Sequence, residues 1–248
     1  MLHAALRILL ILLASAGACW ALWAGPPAAN AVAISATGRR IAEGASFQPG
    51  PLERLLVTSG RAVEAMPCQY DARRGRLFAA IRLAEIAYDT YDFARLSERL
   101  GAARDEARAM LSCSPYDTFA WFGLYWTSGN LDGFDDRAFA LLAMSYRTGP
   151  MEGWIGFHRN PYAASVFQVL PETLRGRVID EWAALVGAWK FEPAAKALLR
   201  IPEQDRELFF SRRAEIKPEI WDAFAQFIEE AGGNLVLPGA RYPQKPWL

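Results

Sequence analysis

The sequence predicts an all-α protein, an array of antiparallel helix pairs behind an N-terminal membrane anchor or signal sequence. Three observations predict it. Apolar residues recur at spacings of three and four in one segment after another. Proline stands ahead of those segments and almost never within them. No stretch shows the sustained apolar/polar alternation that a half-buried strand requires.

Residues 1–24 are read as the targeting segment. His3 and Arg7 make a weakly positive start, and Ile8 to Trp23 is apolar throughout, with Trp20 and Trp23 at its far end. A spanning helix needs about 20 apolar residues. Counted from Ala4, past Arg7, the run reaches that length. Counted from Ile8, it has the size of a signal-peptide core, and Ala16-Gly17-Ala18 before Cys19 offers a cleavage site. Ala16 stands where a lipid-attachment signal normally holds Leu, which disfavours lipidation of Cys19. Tryptophans at the boundary favour an anchor that is kept. Either fate places the remainder outside the cytoplasm, in a bacterial-type envelope. Residues 25–50, rich in Ala, Gly, Pro and Ser, are expected to be a linker with a short helix around Val32–Ile41.

The helical domain is expected over residues 51–231. Leu52, Leu55, Leu56 and Val63 predict a helix to Met66, interrupted near Ser59-Gly60. Asp71 opens a second, with Leu77, Ile81, Ala84 and Tyr88 on one face. Phe93, Leu96, Leu100, Ala103, Ala107 and Met110 mark a third. Pro115 and Asp117 open a fourth whose run from Phe119 to Trp126 is apolar on every side, with Ser128-Gly129-Asn130 as its stop. Asp132 or a neighbour caps the next, Phe134–Tyr146, which ends at Gly149-Pro150. Beyond it, Pro171 opens a helix with Val178, Trp182, Leu185 and Trp189 as its stripe, and Pro193 and Pro202 open two shorter ones. Pro218 opens the last, with Trp221, Phe224, Ala225 and Ile228 buried and Gly232-Gly233 as its end. Residues 232–248, with Pro238, Pro243 and Pro246, form an extended or docked tail.

The central pair carries a resemblance. Trp121, Leu124, Gly133, Ala138, Leu142, Ser145 and Pro150 look like a degenerate tetratricopeptide repeat (TPR), which places a large residue and a Leu on its first helix and small residues where the helices touch. More loosely, the anchor, Cys113-Ser114-Pro115 and the string from Tyr146 through Gly149-Pro150 to Trp154 resemble membrane-anchored periplasmic proteins of alphaproteobacterial envelope and polysaccharide-export systems. The resemblance implies a TPR-like α-solenoid that binds a protein partner at the inner membrane; no catalytic residue can be carried over from it, and no cofactor is expected.

Composition excludes several functions. Lys and Arg balance Asp and Glu at 27 each, so no electrostatic footprint for nucleic acid is present. The clusters Arg73-Arg74-Arg76 and Arg212-Arg213 have acids nearby and read as solvated helix faces. Beyond the targeting segment His158 is the sole histidine, and no P-loop, G-x-G-x-x-G or G-x-S-x-G occurs, which argues against metal, nucleotide and serine-hydrolase chemistry. Carboxylate-pair glycan hydrolysis stays open, because it needs only two acids in a cleft.

Cys68 and Cys113 sit in similar contexts, each after a helix end and shortly before Tyr-Asp. An oxidising compartment allows the two to be bonded; the alternative is two separate buried thiols, since sequence does not show whether their Cα atoms come within reach. The candidate site is Met151–Tyr162, where Glu152, Trp154, His158, Arg159 and Tyr162 gather an acid, two aromatics, an imidazole and a guanidinium. Such a set binds an acidic glycan or a partner loop. Alternatively it is a packing segment, with Trp154 and Phe157 buried and Arg159 and Glu152 bridging neighbouring helices.

Overall fold

The computed structural model describes residues 2–150, 152–233 and 235–242, without the side chains of residues 2–5, 26 and 27. Among the described residues there are eleven α-helices and no strand. The chain divides into two compact units, Met1–Leu131 and Asp132–Leu248. The two helices of the TPR-like motif fall in different units.

The first unit begins with α1, Leu2–Ala42, 41 residues and about 61 Å long at 1.5 Å per residue. The segment expected as a linker is therefore mostly helix. Its alanines favour that state, and its apolar positions fall on one stripe: Ala31, Ile34 and Ile41 are buried. Gly38 lies on the same stripe and meets Gly75 backbone to backbone; a Cβ on Gly75 would overlap the Ile34 carbonyl. The earlier part of α1 is different. Leu6, Ile8–Leu13, Trp20, Leu22 and Trp23 are all exposed. The helix is long and apolar enough to cross a membrane, with an 18-residue window of mean hydropathy 2.0 and none of that window buried. A signal sequence has the same properties.

Helices α2 (Pro49–Ala65), α3 (Tyr70–Asp89), α4 (Phe93–Cys113) and α5 (Thr118–Asp132) complete this unit. The break expected at Ser59-Gly60 does not occur. Ser59 is buried inside a continuous α2, donating to Leu56 O while accepting from Arg76 Nη1 at 2.8 Å. Arg76 reaches on to Glu106 at 2.6 Å, so one guanidinium joins α2, α3 and α4. Arg99 of α4 donates to Leu83 O and to Glu53, and Cys68 is bonded to Cys113 with 5.3 Å between their Cα atoms. Positions along α3 thus rise as those along α4 fall. Tyr88, expected on the buried stripe of α3, is exposed near its end.

Asp117 opens α5 as expected, accepting from Ala120 N at 2.7 Å and from the Tyr70 hydroxyl at 2.8 Å. Phe119, Phe122 and Tyr125 are buried, and burial pushes the Tyr125 hydroxyl pKa well above the usual tyrosine range. α5 runs past Ser128-Gly129-Asn130 because the Asn130 amide donates to Trp126 O within the helix. The left-handed residue that ends it is Gly133, at φ 104°.

The second unit holds α6 (Asp136–Thr148), α7 (Gly153–Ala164), α8 (Glu172–Gly187), α9 (Phe191–Arg200), α10 (Arg206–Phe210) and α11 (Pro218–Glu230). Asp135 caps α6 through Arg137 N and Ala138 N. Trp182 is buried at the centre, edge-on to Phe209, Trp221 and Phe224, and its Nε1 donates to Ala194 O. Trp189, expected on the α8 stripe, lies beyond the helix at φ 61° and is exposed. The described part of the tail is docked: Leu237 is buried, Pro238 O accepts from Trp221 Nε1, and Arg241 N donates to Asp222. Pro243 and Pro246 lie outside the described residues.

Two outcomes are expected. Reducing the Cys68–Cys113 bond, which closes a loop of 45 residues, removes about 4 kcal/mol by loop entropy; thermal melts with and without reductant measure the loss. Gly75→Ala costs about 1–3 kcal/mol through overpacking against α1, seen as a lower urea midpoint, whereas Gly101→Ala, with open space at its Cβ, does not.

Candidate functional site

The candidate segment folds as α7, and its helical spacing separates the five residues. Trp154, His158 and Tyr162, four apart, are half-buried on one face. Arg159 lies on the buried face with Ile155 and Ala163. Glu152 precedes the helix and is exposed. The five do not converge on one point.

Arg159 is 0 % exposed and is a structural residue, not a contact surface. Its Nε donates to both oxygens of Glu181, at 3.1 and 3.3 Å, and its Nη2 to Oε1 at 2.5 Å. Nη1 donates to Ser145 Oγ and Nη2 to Gly149 O, each at 3.0 Å. The guanidinium lies 3.9 Å from the centre of the Tyr146 ring. Glu181, 5 % exposed, also accepts from the Tyr146 hydroxyl at 3.0 Å. The Asn160 amide donates to Val178 O at 2.8 Å. One buried ion pair therefore joins α6, α7 and α8. The bridging expected of Arg159 takes place, with Glu181 as its partner, while Glu152 is exposed ahead of α7. Tyr162 packs under the Arg200 guanidinium at 5.2 Å, tying α7 to α9.

A groove of about 340 Å³ lies between α7 and α8. Trp154 and Phe157 form one wall and Ala184, Leu185 and Ala188 the other. Glu181 lines the inner end, where Gly156 leaves it room: a Cβ there would sit 3.3 Å from Oε1. Glu152 and Lys190 also line it, and the Lys190 ammonium stands 5.4 Å above the Phe157 ring. Of the five sequence candidates, Glu152 and Trp154 reach this groove; His158, Arg159 and Tyr162 do not line it. Sequence reasoning missed Glu181 and Lys190. The only local signal for Glu181 is an acidic pair, Asp180-Glu181, set between Val178-Ile179 and Trp182-Ala183-Ala184-Leu185.

The groove's walls are apolar, and its inner carboxylate is already held by Arg159 and Tyr146. The arrangement suits docking of an apolar group with a charge at its rim. The chain matches no protein-family model, no curated protein and no solved structure.

Breaking the buried pair from one side leaves a charge without its partner. Arg159→Ala or Glu181→Ala is expected to cost about 3–5 kcal/mol, and Arg159→Met with Glu181→Leu far less. Urea unfolding of the two single variants and the double variant measures both.

Proposed function

We propose that this protein is a non-catalytic, membrane-tethered interaction scaffold of the bacterial envelope, an accessory to polysaccharide synthesis or export, with its helical units in the periplasm. The carrying observation is the two-part character of α1. Its first half exposes apolar side chains on all sides, and its second half is built into the packing of α2 and α3. A helix of that kind holds a folded unit at the membrane surface, where tethering raises its effective concentration for a membrane-bound partner.

The disulfide supports the oxidising side of the membrane. The helix pairs α3/α4 and α8/α9 support a TPR-like array. Their connecting turns are alike, each with an aromatic residue in the left-handed region, Tyr91 at φ 57° and Trp189 at φ 61°. Stacked helix pairs commonly bind a protein segment. A glycan is the second reading, because Glu152 and Trp154 share one groove and an aromatic face stacks on a sugar ring. The apolar remainder of that groove favours the protein partner.

Full-length protein extracted from its native membranes in mild detergent is expected to bring a reproducible membrane partner, identified by mass spectrometry. Trp154→Ala with Glu152→Lys is expected to reduce that recovery several-fold while the helical circular dichroism is kept. A well-folded protein that carries no partner overturns the scaffold reading; glycan turnover lost on Glu152→Gln would establish the second.

A further inference from the structure

The turn between α3 and α4 presents three aromatic rings to solvent. Tyr88 is 58 % exposed, Tyr91 78 % and Phe93 65 %. The backbone there is a Schellman turn: Tyr91 N donates to Tyr88 O at 3.1 Å and Asp92 N to Ala87 O at 2.9 Å. Such a turn needs a left-handed residue, a place that glycine fills without strain and a bulky side chain does not. Tyr91 fills it, at φ 57°.

The turn between α8 and α9 supplies an internal comparison. Trp189 is also left-handed, but its ring lies 5.3 Å from that of Phe191, which packs on Phe224 and Phe227 at 5.4 and 5.8 Å. Trp189 is itself exposed, yet its ring rests on a residue that is anchored on α11. Tyr91 meets Phe93 edge-on at 6.1 Å, and Phe93 is itself exposed. Among the described residues no buried ring backs Tyr91 in the way that Phe191 is backed.

The charge that follows Tyr88 in the chain indicates what they meet. Asp89 is exposed and, among the described residues, has no ion-pair partner; Asp92 is already held by Arg95, through its backbone N–H and its guanidinium. Aromatic faces next to a free carboxylate attract a cation. A guanidinium satisfies both at once, stacking flat on a ring while giving N–H donors to the carboxylate. A quaternary ammonium has no N–H to give. We propose that the Tyr88–Tyr91–Phe93 face is a docking surface for an arginine side chain of a protein partner.

The inference rests on the scaffold reading and names the chemistry of one partner contact. Its test uses the full-length chain in detergent micelles with isotope-labelled tyrosine rings. The probes are an Ala-Ala-Arg-Ala-Ala peptide, its citrulline counterpart and tetramethylammonium. The Tyr91 signal, assigned by its loss in Tyr91→Gly, is expected to move with the arginine peptide at about millimolar concentration. The citrulline peptide is expected to bind about 5-fold more weakly, and Tyr91→Gly to weaken the arginine response, read on the Tyr88 ring, by a similar factor. The melting temperature of Tyr91→Gly is expected to hold or rise, because glycine relieves the strain. A fall in melting temperature overturns the proposal by making the ring structural. Equal response to citrulline, or a response to tetramethylammonium alone, overturns it as well. A membrane partner that co-purifies unchanged with Tyr91→Gly overturns this inference and leaves the scaffold reading standing; a wild-type chain with no partner is the failure of that reading.

Discussion

Two backbones touch where Gly38 meets Gly75. Side-chain-free contact of this kind brings helices as close as they can come, and it leaves no tolerance for an added methyl group. It joins the only long apolar helix among the described residues to a folded unit. From α3 the attachment spreads outward, through Arg76 to α2 and α4 and through the disulfide to the start of α5's connecting turn. Without that seam the exposed half of α1 would be attached to a hinge.

The second unit is organised around the opposite kind of contact, a charge pair removed from water. Desolvating Arg159 and Glu181 costs several kcal/mol per ion, and their attraction offsets it only where the remaining donors and acceptors are met. Here Ser145, Tyr146 and Gly149 meet them. The geometry demanded of Arg159 is what fixes α7 against α6 and α8. The groove goes with that geometry: a Cβ on Gly156 would press on Glu181 at 3.3 Å, and its absence leaves the inner end open.

Much of the helical order was legible from local signals. Pro218 and the stripe Trp221–Phe224–Ala225–Ile228 mark α11 without any knowledge of its neighbours, whereas the matching contexts of Cys68 and Cys113 left their bond as one of two readings. The failures share a cause. The Pro/Gly-rich run after Trp23 reads as a linker until α3 is there to cover Ala31, Ile34 and Ile41. Ser59-Gly60 reads as a break until Arg76 arrives to bond the serine. Arg159 reads either as a binding guanidinium or as a bridge between helices, because its partner is 22 residues away on another helix. Trp189 fits a helical stripe by spacing, while the turn that removes it is a backbone property that aromatic residues rarely adopt. Periodicity reports which face is apolar; it does not report what a polar group will find.

The bond between Cys68 and Cys113 makes α3, α4 and the turn between them a closed covalent ring. The turn at Tyr91 is an exposed part of that ring and open to a protease. A single cut there opens the ring but releases nothing: α3 stays continuous with the anchor side of the chain, α4 with α5, and the disulfide holds the two pieces together. This exposed end of the hairpin is thus an end that can be severed with the molecule still in one piece.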